Sequence, residues 1–310
     1  MVPVNKPAPG ISMETQLHEW VASAAPEYLA QYQAMHTVIH AIASSPTLSP
    51  KMIMKGGVLL GVYYGSPRFT RDIDFSTADQ YRDENKDAFK AALNEALTDA
   101  VNTLGYNLDC QVQQCKPSPK AEGSYVTLQI KIGYATFGTP AHKRLRNGQS
   151  PKVVEIDYSH NEVTCQTEHV KVGENGTLPV YAITDVIAEK YRAILQQSSP
   201  TRDFKKYRPN DIFDIDYLLK RVAFTMADRE TIHQALLAKS NARQVHVRSD
   251  SLDDPLIQEL SSRDYLTLRD EVYGEFPPFD EAYATVNAFY KSLPWLATHE
   301  NDEEAINRQE

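Results

Sequence analysis

The segment RFTRDIDFS, residues 68–76, sets two aspartates, Asp72 and Asp74, two positions apart. A β-strand alternates its side chains between two faces. As a strand, this segment shows Arg68, Thr70, Asp72, Asp74 and Ser76 on one face, and turns Phe69, Ile73, Phe75 and the stem of Arg71 towards a core. Carboxylates so close repel each other, and burying both is costly unless a cation stands between them. Mg2+ is commonly bound by a few carboxylates together with the phosphate oxygens of a substrate. The chemistry suggested is therefore metal-assisted work on a phosphate. A solvated edge strand explains a lone Asp-x-Asp equally well. Here, however, Gly56 and Gly57 stand just upstream, where the backbone can turn sharply and approach a ligand closely.

Other positions can add to such a site. Residues 153–159 read as a strand with Glu155 and Asp157 on one face, opposite Val154, Ile156 and Tyr158. Either could be a third metal carboxylate, and a half-exposed strand would carry both without any function. Residues 183–197 read as a helix whose apolar stripe is Ile183, Val186, Ile187 and Ile194. Positions three and four apart share a helical face, so Lys190 occupies a core-facing slot. A lysine there either snorkels to solvent or points into a cleft at an anion, for which a nucleotide triphosphate is the natural choice. A further helix begins after Pro209 and buries Ile212, Ile215, Leu218, Leu219 and Val222. Asp211, in its first turn, complements the helix dipole by ~1 kcal/mol whatever else it does.

Across residues 55–75 the pattern KGG-x-x-L followed by Y-x-x-x-R-x-T-x-D-I-D-F resembles the nucleotidyltransferase toxins of the AbiEii/AbiGii group. The mycobacterial MenT toxins are similar, and the wider relationship is to the polymerase-β-like nucleotidyltransferase superfamily. Two departures are visible: Val58 stands where the family usually has Thr or Ser, and the gap from Gly57 to Asp72 is longer than usual. The resemblance implies that Thr70, Asp72, Lys190 and Asp211 match the four positions important in MenT-type toxins, and that Asp74 is the second metal carboxylate. The superfamily layout favours Asp157 over Glu155 as the third. Lys55, Gly56, Gly57, Arg68 and Lys190 are then nucleotide-binding residues, Mg2+ or Mn2+ the cofactor, and an NTP the co-substrate. The implied reaction moves an NMP to an RNA acceptor, such as a tRNA 3′ end, which blocks aminoacylation. The implied setting is a type IV toxin–antitoxin or abortive-infection system used in phage defence, with an AbiEi-like antitoxin as partner. Two other readings stay open: a nucleotidyltransferase acting on a protein or small molecule, and a non-catalytic nucleotide-binding regulator, which Val58 favours.

The elements that must position these residues follow from the chain around them. Its 310 residues suffice for two ordinary domains, and 42% hydrophobic content supports a real core. No apolar run approaches the roughly 20 residues that span a bilayer. The start lacks the basic-then-apolar order of a secretory signal, and three cysteines without metal-ligand spacing read as free thiols in a reducing cytosol. A cytoplasmic protein without membrane contact is expected. Apolar spacing predicts one or two helices over 14–44, broken near Pro26, and a helix over 81–104 stopped by Gly105. Strands are expected at 108–113, 124–137, 152–159 and 163–172, with a loop at 138–150 and a turn at 173–176. From residue 183 the pattern is helical, over 183–197, 211–222, 229–239, 256–271 and 280–293. The expected fold class is α+β: a nucleotidyltransferase-like mixed sheet with flanking helices over 1–178, then a helical C-terminal domain over 179–310, with the site in the cleft between them. Residues 1–12 are expected to be disordered, and the acidic tail 299–310, with its five carboxylates, to fray.

The formal net charge of −9 argues against a dedicated duplex-binding protein, whose affinity comes from neutralising phosphates. Three basic groups could still hold an RNA backbone: His142, Lys143, Arg144 and Arg146; Arg202, Lys205, Lys206 and Arg208; and Arg243, His246 and Arg248. Each is expected on a loop near the cleft.

Overall fold

The computed structural model describes residues 12–198 and 207–295. The chain opens with α1 (Met13–Ala22) and α2 (Leu29–Ser44), then β1 (Ile53–Lys55), α3 (Gly56–Tyr63), β2 (Asp72–Ser76) and α4 (Lys86–Leu104). β3 (Asp109–Ser118), β4 (Thr127–Ala135), α5 (Pro140–Arg146), β5 (Val153–Ser159), β6 (Thr167–Val172) and β7 (Gly176–Tyr181) follow. The remainder is helical: α6 (Ile183–Leu195), α7 (Pro209–Leu219), α8 (Met226–Ala242), α9 (Pro255–Ser262), a 3-10 stretch (Tyr265–Glu271) and α10 (Phe279–Lys291). Of residues 1–12, expected to be disordered, Ser12 is described and caps α1; residues 1–11, the tail 299–310 and the basic residues Arg202, Lys205 and Lys206 lie outside the described residues.

All seven strands form one sheet in the order β3-β4-β5-β2-β1-β7-β6. The pairs β2–β5 and β1–β7 are parallel, while β1–β2, β3–β4, β4–β5 and β6–β7 are antiparallel. The mixed sheet with flanking helices is the architecture expected. Its central strands are apolar on the side that faces helices: Met54, Ile73, Phe75, Val154 and Ile156 are fully buried together with Val38, Ile39 and Ile42 of α2 and Leu93 and Leu97 of α4. With one face covered, the register is fixed, because a slip of one residue would put the buried set on the other face. Among the described residues no helix is long and apolar enough to cross a membrane.

Several expectations need correction. The strand expected over 68–76 begins only at Asp72; Arg68 forms an isolated bridge to Val272, and Phe69 N–H donates to Glu271 at 2.7 Å. Residues 68–71 are thus held by the C-terminal half rather than by the sheet, and Arg71 is exposed instead of laying its stem into the core. The expected loop at 138–150 contains α5, started by Pro140 at its first position and by Thr139, whose side chain accepts from His142 N–H. β7 was not expected, and the division at 178/179 runs through it. The strand pairs with both β1 and β6, so the sheet continues to Tyr181 and the helical half starts at the next residue, Ala182, the N-cap of α6.

Candidate active site

The sheet register brings the expected residues together. Lys55 pairs with Asp74, Asp74 with Asp157 and Asp157 with Gln129, so one lateral row crosses β1, β2, β5 and β4. Asp72, one pleat along the same face, is opposite Glu155, which in turn is opposite Lys131. Carboxylate oxygens of Asp72, Asp74 and Asp157 lie within 4.8 Å of one another. Glu155 instead pairs with Lys131 at 3.1 Å and is largely exposed. Of the two candidates for the third carboxylate, Asp157 is therefore the one the geometry groups with the pair. Burial, the Asp72 charge and the Asp157 charge push the Asp74 carboxyl up to about 7, against the pull of Lys55. Carboxylates gathered at such a cost suit a divalent cation, whose charge would reverse that shift.

The glycine pair explains how the phosphate end of a ligand could approach. Gly56 opens α3 with φ +75°, and a Cβ there would stand 1.8 Å from Asp74 Oδ2. A Cβ on Gly57 would meet Thr70 Oγ1 at 2.7 Å. Both positions are thus restricted to glycine by the site itself, and the α3 N-terminus, with its unpaired N–H groups and positive dipole end, faces the carboxylates. Thr70 Oγ1 donates to Asp72 Oδ1 at 3.1 Å, which fixes that carboxylate's orientation. Val58, the position that departs from the resembled pattern, is fully buried in the core.

Lys190 does not snorkel. Its ammonium donates to Asp211 Oδ1 and Asp214 Oδ2, both at 2.8 Å, and its side chain is 11% exposed. Asp214 also accepts two bonds from Arg68, from Nε at 3.0 Å and Nη2 at 2.9 Å. Burial raises the Asp214 carboxyl, but Arg68 and then Lys190 outweigh it and leave it at about 2. Arg68 is therefore committed to Asp214. Sequence reasoning gave Asp214 no role in the site, although it stands three residues after Asp211 on the same helix face.

Lys55 is similarly engaged, donating to Glu189 Oε1 at 2.8 Å. Glu189 also faces Lys239 at 3.4 Å and Arg192 at 3.8 Å, and Lys239 reaches Asp185 at 2.9 Å. This second lattice ties β1 to α6 and α8. Its signal in the sequence was slight, since Asp185 and Glu189 read as ordinary polar positions of an amphipathic helix.

These groups line a cleft of about 740 Å³ between the sheet face and α6–α7. Lys55, Gly56, Gly57, Arg68, Thr70, Asp72, Asp74, Asp157, Lys190 and Asp211 all border it. Of the basic groups, Arg208 and Arg243 reach the cleft; Arg243 lies 3.5 Å over the Tyr125 ring and pairs with Glu162. The group on α5 is on a helix and not among the lining residues; His142 and Arg146 engage Asp109 at 2.9 and 3.4 Å.

Comparison with known families matches residues 39–285 to the family described as nucleotidyl transferase AbiEii toxin, type IV TA system. No curated protein matches the chain by sequence. Among solved structures, MenT4, a nucleotidyltransferase toxin from Mycobacterium tuberculosis, is similar at a TM-score of 0.51 and 14% identity, over 96% of this chain and 98% of that one. JHP933 from Helicobacter pylori is similar at a TM-score of 0.50 and 15% identity, over 92% of this chain and 97% of that one. At these identities the likeness is one of fold.

Proposed function

Because the chain belongs to the AbiEii family of nucleotidyltransferase toxins of type IV toxin–antitoxin systems, we propose that its cleft transfers an NMP from an NTP to an RNA, and that the acceptor is a tRNA 3′ end. The observation that carries this reading is the meeting of three carboxylates with a glycine-opened helix N-terminus in one cleft. Asp72, Asp74 and Asp157 would hold Mg2+ or Mn2+, which when bound neutralises phosphate charge and lowers the barrier to deprotonating an acceptor hydroxyl. Backbone N–H groups at Gly56 and Gly57 bind phosphate oxygens, since no side chain intervenes there. Thr70 keeps Asp72 oriented. Lys190 faces the charge that builds on the transferred phosphate, and Asp211 and Asp214 fix its position. Arg68 works through Asp214, and Lys55 sets the charge next to Asp74. In-line transfer then breaks the bond between the α- and β-phosphates and joins the α-phosphorus to the acceptor oxygen, with pyrophosphate leaving.

Arg208 and Arg243 at the cleft edge support a polyanionic acceptor on a chain that is acidic overall. A cognate antitoxin, AbiEi-like, is the partner such a toxin requires. The acceptor is tested by incubating the protein with each α-labelled NTP, total RNA and total protein, then sizing the labelled product. Label in a tRNA-sized RNA is expected. Label confined to protein or to small molecules would overturn the RNA assignment while leaving the transferase in place.

A further inference from the structure

Away from the cleft-lining residues, two helices present histidines and a carboxylate to one another at i, i+4 spacing: Glu14 and His18 on α1, His36 and His40 on α2. His36 Nε2 and His18 Nε2 both converge on one oxygen, Glu14 Oε1, at 2.9 and 3.3 Å. The three ligand atoms lie within 4.8 Å of one another. Zinc bonds imidazole nitrogen and carboxylate oxygen at about 2.0–2.2 Å, so donors sharing one tetrahedral ion stand about 3.3 Å apart. The two spacings to Glu14 Oε1, 2.9 and 3.3 Å, are close to that.

The surroundings are those of a ligand set rather than of a casual surface cluster. His36 is fully buried, and its Nδ1 is 3.0 Å from the Tyr106 hydroxyl, which fixes the ring. The second oxygen of Glu14, Oε2, is held by Gly173 N–H at 2.9 Å and by His40 Nδ1 at 3.2 Å. Metal-binding histidines and carboxylates characteristically have such outer partners on the atom that does not bind the ion. His18 is 54% exposed and leaves the cluster open to solvent on one side. Glu14 thus gathers three imidazoles, His18 and His36 on Oε1 and His40 on Oε2.

We propose that Glu14, His18 and His36 form a second metal site, for a zinc-class divalent cation, with solvent in the fourth position. Its ligand set of two nitrogens and one oxygen suits Zn2+ over Mg2+, which prefers oxygen ligands in an octahedron. The ion would clamp α1 to α2 and, through Glu14, to the turn before β7. It is independent of the carboxylates in the cleft.

The test uses Co2+ as the spectroscopic probe on the full chain, stripped with chelator and kept in excess Mg2+ to occupy oxygen-rich sites. Histidine-ligated, four-coordinate Co2+ absorbs visible light far more strongly than the six-coordinate, oxygen-bound ion. The wild type is expected to develop the strong bands with a single equivalent of Co2+ and to lose them on adding Zn2+. His18→Gln, at an exposed helix position, should fold normally and fail to develop them. His246→Gln, an exposed histidine elsewhere, should keep them. Absence of strong bands in the wild type, or the same bands in His18→Gln, would overturn the site.

Discussion

Lys190 shows how far a single residue can be read. Its place on the stripe of Ile183, Ile187 and Ile194 left two fates, and the structure selects the inward one, with the ammonium between Asp211 and Asp214. The sequence offered Asp211 as a residue that could orient Lys190, but it gave no role to Asp214, whose approach to Lys190 depends on how two helices pack. Lys190→Met keeps the apolar stem and removes the charge. Asp214 retains both bonds from Arg68, so the fold should survive with at most a small fall in melting temperature. NMP transfer should fall on the order of 10²-fold or more, as when a preorganised electrostatic group is deleted. Both quantities are measured on one preparation; full transfer with an intact fold would leave Lys190 a structural residue only. The three carboxylates were equally legible as types; the resemblance favoured Asp157 over Glu155, and the register sets Asp74 beside Asp157.

At the scale of elements, the connection from Arg68 to Asp214 locks the segment before β2 onto α7. Its strength should depend on acidity. The folded Asp214 carboxyl titrates at about 2, below the ordinary value of about 3.9 in an unfolded chain. A depressed carboxylate stabilises the fold fully above the unfolded value, and that contribution fades as pH falls from about 4 through about 2. The loss is on the order of 2 kcal/mol. Urea unfolding of wild type and Asp214→Asn at pH 6 and pH 2.5 checks this. The variant should be several kcal/mol weaker at pH 6, since Arg68 and Lys190 lose a buried partner. The gap should narrow at pH 2.5; an equal gap at both would show that the carboxylate charge is not what matters. Elements held by long-range contacts were the least legible. Residues 68–71 look like a strand by alternation, yet Phe69 N–H donates to Glu271 and Arg68 bridges to Val272. β7 was hidden because residues 173–176 read as a turn and the segment after them was given no element, and only pairing with β1 and β6 makes that segment a strand. α5, by contrast, carried its start signal in Thr139-Pro140 and was overlooked.

The seven-stranded sheet and the helical half together line one polar cleft, which holds the candidate site. Sheet residues bring the carboxylates and α3 the glycines; α6 and α7 bring Lys190, Asp211 and Asp214. The change of periodicity near residue 183 coincides with the start of α6, and the sheet runs further than expected. As the toxin of a two-component system, the active chain should arrest bacterial growth when expressed without its antitoxin. Arrest should require Lys190 and Asp72. Normal growth at high expression of transfer-competent protein would point to a housekeeping transferase instead.

The most direct test of the cleft as the transfer site is incorporation of label from an α-labelled NTP into RNA by wild type and Asp72→Asn, each first shown to be folded. Asp72 is exposed at the mouth of the carboxylate cluster, so its amide should leave stability unchanged while removing one of three charges offered to a cation. The expected result is labelled RNA with the wild type in Mg2+, none after chelation, and none with Asp72→Asn. Transfer by Asp72→Asn near the wild-type rate would contradict the assignment of this cleft to the reaction.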